Sequence, residues 1–132
     1  MEEARHGAPS APDPQWPPAL GPYSPAVRAG DWVILSGQIG LDPATSAIVE
    51  GVEAQTRQVL ANIAAVLGDC GGALTDVAKT TVFVTDLGDW STVNAVYAEA
   101  FGDHKPARST VQIAGLPGGV LVEIEAWAHL PE

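Results

Sequence analysis

The segment from Val120 to His129 alternates strictly. Val120, Val122, Ile124, Ala126 and Ala128 are small or branched apolar residues, and Leu121, Glu123, Glu125 and Trp127 stand between them. Only a β-strand sends successive side chains to opposite faces, so this segment is a strand with one face in a core. Its second face mixes acids with large apolar groups, which is not how a simply solvated face is built. Whatever the chain folds into must cover the first face with a layer of its own and find a use for the second.

The covering layer is legible as two helices. From Val52 to Cys70 the residues Val59, Ile63, Val66 and Cys70 recur at helical spacing, joined by Leu60 and Leu67. Glu53, Gln55, Arg57 and Gln58 fall mostly on the wet side. Glu50 and Glu53 suit the positive end of the helix dipole, and Gly71-Gly72 stops the helix. A second helix is predicted over Trp90–Phe101, with Val93, Tyr97, Ala100 and Phe101 on one face and Asp89 as its cap. Strands are predicted at Tyr23–Ala29 and Trp32–Ser36 around a turn at residues 28–31, at Asp76–Asp86, and at Ala107–Ala114. Gly37, Gly40 and Pro43 break the second strand into a loop. The order β-β-α-β-α-β-β is that of an α+β domain, a single sheet with two helices on one face.

Leu116, Pro117, Gly118 and Gly119 read as a hairpin loop between the last two strands rather than as a phosphate-binding loop. Pairing the apolar residues Val111 with Val122 and Ile113 with Val120 sets a register that places Thr110 opposite Glu123 and Arg108 opposite Glu125. One arginine and two carboxylates would then share the face away from the helices. That face also carries Leu121, Trp127 and Phe83, so a second subunit is expected to bury it.

Composition narrows the function classes. A chain of 132 residues has room for one real core. It has no apolar run of the ~18 residues needed to span a membrane. Residues 1–20 do not form a secretory signal, and a cytoplasmic setting is expected. Prolines crowd the start, including Pro17-Pro18, and describe an extended arm over residues 1–18 ahead of a domain over residues 19–132. Six Lys and Arg against sixteen Asp and Glu give a net charge of −10, which disfavours a nucleic-acid partner. Cys70 has no second cysteine to pair with and reads as a buried apolar residue at a helix end. His6, His104 and His129 are too scattered for a metal site, and no serine has a His–Asp pair at hand.

Six segments add a more specific indication. Gly21-Pro22-Tyr23-Ser24, Ser36-Gly37-Gln38-Ile39, residues 55–62 (QTRQVLAN), Val93-Asn94-Ala95-Val96-Tyr97, Pro106-Ala107-Arg108-Ser109 and residues 122–126 (VEIEA) occur in this order. Their order and spacing over residues 19–129 resemble the RidA (YjgF) family of enamine/imine deaminases. The resemblance implies a chorismate-mutase-like fold, a homotrimer, and three pockets in the clefts between subunits. It implies that Arg108 holds a substrate carboxylate and that Glu123 positions or activates water. Tyr23, Asn94 and the backbone of Gly37 and Thr110 would line the pocket. The implied reaction converts 2-aminoacrylate and related 2-imino acids to 2-keto acids and ammonia without a cofactor. Thr110 stands where many relatives have Cys, and Pro25 where many have Gln. Three other readings compete with this one. Arg108 with Glu123 or Glu125 could be a structural ion pair. The pocket could bind a small ligand or steer an imine towards cyclisation. An endoribonuclease ranks last.

Overall fold

The computed structural model describes residues 21–131, so the proline-rich arm lies outside the described residues. Seven strands and two α-helices follow in order: β1 (Ala26–Ala29), β2 (Trp32–Ile39), β3 (Leu41–Asp42), β4 (Ala47–Ile48), α1 (Val52–Asp69), β5 (Val77–Val84), α2 (Trp90–Phe101), β6 (Ala107–Gln112) and β7 (Val122–His129). Five of the strands make one sheet in the order β1-β2-β7-β5-β6, and β3 and β4 make a small hairpin beside it.

The architecture is the expected α+β sheet, and the helices cover the face that the final strand's alternation predicts. Val122, Ile124, Ala126 and Ala128 are all completely buried. They pack with Val33 and Leu35 of β2, Val82 and Val84 of β5, and Val59, Ile63, Val66 and Leu67 of α1 in one core. Each of these residues, in strands and helix alike, falls on the buried stripe of its element.

The expected hairpin between the last two strands does not form. β6 pairs parallel with β5, and β7 pairs antiparallel with both β5 and β2. The reason is the helix that precedes β6. A strand–helix–strand unit returns the chain to the end of the sheet where it began, so α2 delivers β6 parallel to β5. β6 is polar along most of its length (Arg108, Ser109, Thr110, Gln112) and takes the edge, whereas β7, with its continuous apolar face, takes the centre. Val111, on which the hairpin register depended, is 42% exposed and belongs to the open face. Gly118 and Gly119 lie in the connection from β6 to β7 with φ of 70° and 69°, left-handed values that glycine adopts without strain.

Further departures bear on the site. Gln55, expected on the wet side, is buried. Its Oε1 accepts from the Leu121 amide at 2.8 Å and its Nε2 donates to the Val49 carbonyl at 3.1 Å. Asn62 donates to the carbonyls of Ile39 (3.1 Å) and Leu41 (2.9 Å). Both side chains supply partners to backbone that leaves the sheet beneath α1 and would otherwise lack them. Gly37 sits within β2 rather than in a loop. Cys70 is only half-buried and closes α1, with burial raising its thiol pKa. Asp89 makes no capping bond to α2; Asp86 instead accepts from the Gly88 amide at 2.8 Å in the turn before it.

Candidate active site

Half of the expected site forms where β2 meets β7. Leu35 pairs with Ala126 and Gln38 with Ile124, so three steps along β2 match two along β7, and a bulge falls at Ser36 and Gly37. The bulge brings the Gly37 backbone under Glu123. A Cβ built on Gly37 would fall on Glu123 Oε2, so the carboxylate occupies the space that any larger residue needs. Glu123 is partly buried there. Burial pushes its carboxyl pKa above the ordinary carboxylate value, and the neighbouring Glu125 pushes it the same way. Ser36 Oγ donates to the Ser24 carbonyl at 2.7 Å and ties the bulge to the approach of β1. Beside it a groove of about 370 Å³ is lined by Tyr23, Ser36, Glu125 and Trp127, among others.

The other half forms on the edge strand β6, one strand beyond β5 from β7. Arg108 Nη2 donates to Asn94 Oδ1 at 2.7 Å. Its guanidinium carbon lies 4.8 Å from the Tyr97 ring centroid and 5.2 Å from that of Trp90, both within cation–π reach. Trp90, Asn94 and Tyr97 occupy positions i, i+4 and i+7 of α2, one stripe of a helix, so a single helical face builds the whole cradle. Tyr97 is 9% exposed and its hydroxyl shares a 2.7 Å hydrogen bond with Thr80 Oγ1, which fixes the ring. No carboxylate stands within ion-pair distance of Arg108 among the described residues. The cradle therefore holds a full positive charge with a neutral amide and two aromatic faces. Two residues along β6, Thr110 has a buried hydroxyl oxygen without a hydrogen-bond partner.

The structure thus gathers the six expected residues into two groups, not one. Tyr23 and Gly37 lie on or beside the strands that carry Glu123, whereas Asn94 and Thr110 accompany Arg108. The expectation that Arg108 and Glu123 share a face of one chain is overturned. Arg108 pairs with Thr80 and Thr110 with Val82, both buried on the helix side, while Glu123 pairs with Phe83 on the other side. With β5 between them, the arginine strand is turned over relative to a hairpin, and every side chain on it changes face. For the same reason neither Glu123 nor Glu125 forms a structural ion pair with Arg108.

Trp90 and Tyr97 are site residues that the sequence reading passed over. The first was read only as the start of a helix, and the second only as part of that helix's apolar face. Their spacing from Asn94 was the available signal. Among the described residues, no three His, Cys, Asp or Glu side chains gather as metal ligands. No helix among them is long and apolar enough to cross a membrane.

Comparison with known proteins agrees with this fold. The family model described as Endoribonuclease L-PSP matches residues 14–130. A RutC family protein of Pyrococcus horikoshii is 50% identical over 86% of this chain and 90% of its own. The 2-iminobutanoate/2-iminopropanoate deaminase of Salmonella typhimurium is 50% identical over 85% of this chain and 90% of its own. The crystal structure of RidA from the Antarctic bacterium Psychrobacter superposes with a TM-score of 0.88 at 43% identity, covering 90% of this chain and 97% of that one. A family model matched over residues 14–130, a superposition covering most of both chains and near-half identity over most of the length lead to one conclusion: this chain belongs to the RidA/YjgF family.

Proposed function

We propose that the protein hydrolyses 2-imino acids, including those formed from 2-aminoacrylate, to 2-keto acids and ammonia. The observation that carries this reading is Arg108, a guanidinium held in a cradle with no counter-ion among the described residues. A planar fork with an unmet charge is suited to a carboxylate, which it can receive through two parallel N–H···O bonds. Water then adds to the C=N carbon while the π pair moves to nitrogen, which takes up a proton. The hydroxyl proton of the adduct is then passed to nitrogen, the C–N bond breaks with its electron pair staying on nitrogen, the carbonyl forms, and ammonia leaves. Glu123 is the group suited to take a proton from water and return it to nitrogen, because its raised pKa brings it closer to neutral working conditions than an ordinary carboxylate. The relatives named as deaminases of 2-imino acids support the substrate class.

Because Arg108 and Glu123 face away from each other in one chain, the reading requires a second copy. The open sheet face carries Trp127, Val111, Trp32 and the Glu123 bulge, and it is the face a neighbour would cover. We read the protein as a homotrimer in which each site takes Arg108 from one subunit and Glu123 from the next. The family model's description as an endoribonuclease names a different activity, which a chain of net charge −10 is poorly made to perform.

The test is complementation. Arg108→Ala and Glu123→Gln should each be inactive alone. Refolded together in equal amounts, they should restore about a quarter of the sites, since random assembly around a three-fold axis gives each interface that chance of receiving both wild-type groups. Zero recovery from correctly assembled mixed trimers would place both groups in one chain and sink the shared site.

A further inference from the structure

Trp90 does more than hold Arg108. It is 46% exposed although it begins a helix packed on the core, whereas Tyr97, the other ring in the cradle, is almost wholly buried and bonded to Thr80. One aromatic face is thus used up inside the protein and the other stands open beside the same guanidinium. We propose that the open indole of Trp90 is the residue that selects the substrate's side chain, favouring 2-imino acids with apolar groups larger than methyl.

The geometry follows from the anchor, and the inference rests on the reading that Arg108 takes the carboxylate. A carboxylate bonded to the guanidinium fork lies near its plane, its carbon roughly 4 Å from the guanidinium carbon. The Trp90 ring centroid is 5.2 Å from that carbon. The first side-chain carbons of a bound imino acid are two and three bonds beyond the carboxylate carbon, and the exposed indole that flanks the anchor is an apolar surface on which they can lie. Asn94 occupies another side of the guanidinium and cannot play this part, because its amide oxygen is already engaged. Apolar surface buried against an exposed ring is worth about tenfold or more in selectivity for each added carbon or two.

Binding of stable 2-keto acids separates this inference from the reading beneath it. Calorimetry would be run on the assembled protein with pyruvate, 2-oxobutanoate, 4-methyl-2-oxopentanoate and phenylpyruvate, alongside kcat/KM for the corresponding imines generated by an amino-acid oxidase. The wild type should bind the branched and aromatic acids roughly tenfold tighter than pyruvate. Trp90→Ala should flatten this order mainly through KM; because the ring also holds Arg108, the readout is each acid's affinity relative to pyruvate in the same variant. Trp90→Phe should keep the order, and it should also remove the ligand-induced change in tryptophan fluorescence. An unchanged order in Trp90→Ala, with Arg108→Ala still abolishing binding, overturns the selectivity role and leaves the anchor standing. Binding that survives Arg108→Ala, or no binding of any 2-keto acid, overturns both.

Discussion

The two halves of the site reach their chemistry by opposite routes. Around Glu123 the backbone comes close: a bulge and a missing Cβ at Gly37 let a carboxyl group settle against the sheet, where burial raises its pKa. Around Arg108 the backbone stays distant and side chains do everything, with one stripe of α2 presenting two rings and an amide to a cation. The first half depends on pairing between strands 84 residues apart in sequence at Ile39 and Glu123, the second on local helical periodicity and one parallel neighbour. In the proposed reaction, the carboxyl whose charge must switch sits where burial opposes the charge. A group whose charge must be permanent is placed where the surroundings tolerate it without cancelling it.

That contrast can be broken most severely at the arginine. Arg108→Ala should lower kcat/KM on 2-imino acids by roughly 100- to 1,000-fold, because the anchoring charge is lost. Arg108→Lys should recover little of it, since an ammonium lacks the planar fork. A keto-acid release assay with circular dichroism to confirm folding checks both, and a lysine variant near wild-type rate would show that a point charge suffices.

Next in size is Gly37→Ala. The added methyl falls on the Glu123 carboxylate, so kcat should drop roughly 10- to 100-fold as the acid is displaced. Stability should fall by about 1–3 kcal/mol, the usual result of overpacking. The same change at Gly51, where a Cβ meets nothing but φ is +88°, should cost stability alone. Comparing the two by steady-state kinetics and thermal melts separates steric displacement of the acid from backbone strain.

A smaller effect is expected from Asn94→Ala, which frees the Arg108 fork while leaving both rings in place. KM should rise about tenfold with kcat little altered, the loss expected for one hydrogen bond to a charged group. If kcat falls and KM does not, Asn94 acts on the reaction rather than on the anchor.

The smallest concerns pH. Since the Glu123 pKa is raised on folding, the native state holds more protons than the unfolded one between the ordinary carboxylate value of 4.5 and the raised value. Stability contributed by this group is therefore greatest below that window and declines as pH rises through it. Glu123→Gln should remove this part of the slope and raise Tm modestly at neutral pH, while abolishing turnover. In the wild type, kcat/KM should rise with pH through an inflection above 4.5. A melting-temperature profile of Glu123→Gln parallel to that of the wild type would show that the carboxyl is not desolvated.

Much of this was readable in the chain before any coordinates. The period of two in residues 120–129 and the helical stripe from Val59 to Leu67 identified the buried faces, because water penalises any other arrangement of those apolar groups. The motif residues Tyr23, Gly37, Asn94, Arg108, Thr110 and Glu123 all reappear in the two half-sites. The β3–β4 hairpin was not readable, since two strands of two residues each carry no period. Nor was the burial of Gln55, whose environment is set by the backbone groups of Val49 and Leu121 that it serves.

By itself, then, the sequence determined most of the buried apolar faces and how many layers the fold has, since each of these follows from periodicity and residue type within one element. Only the tertiary structure decided which strand lies beside which. Inserting β7 between β2 and β5 put Arg108 and Glu123 on opposite sides of one sheet. Neighbours in a sheet are chosen by competition among all its strands for the most buried place, and no single segment carries that information.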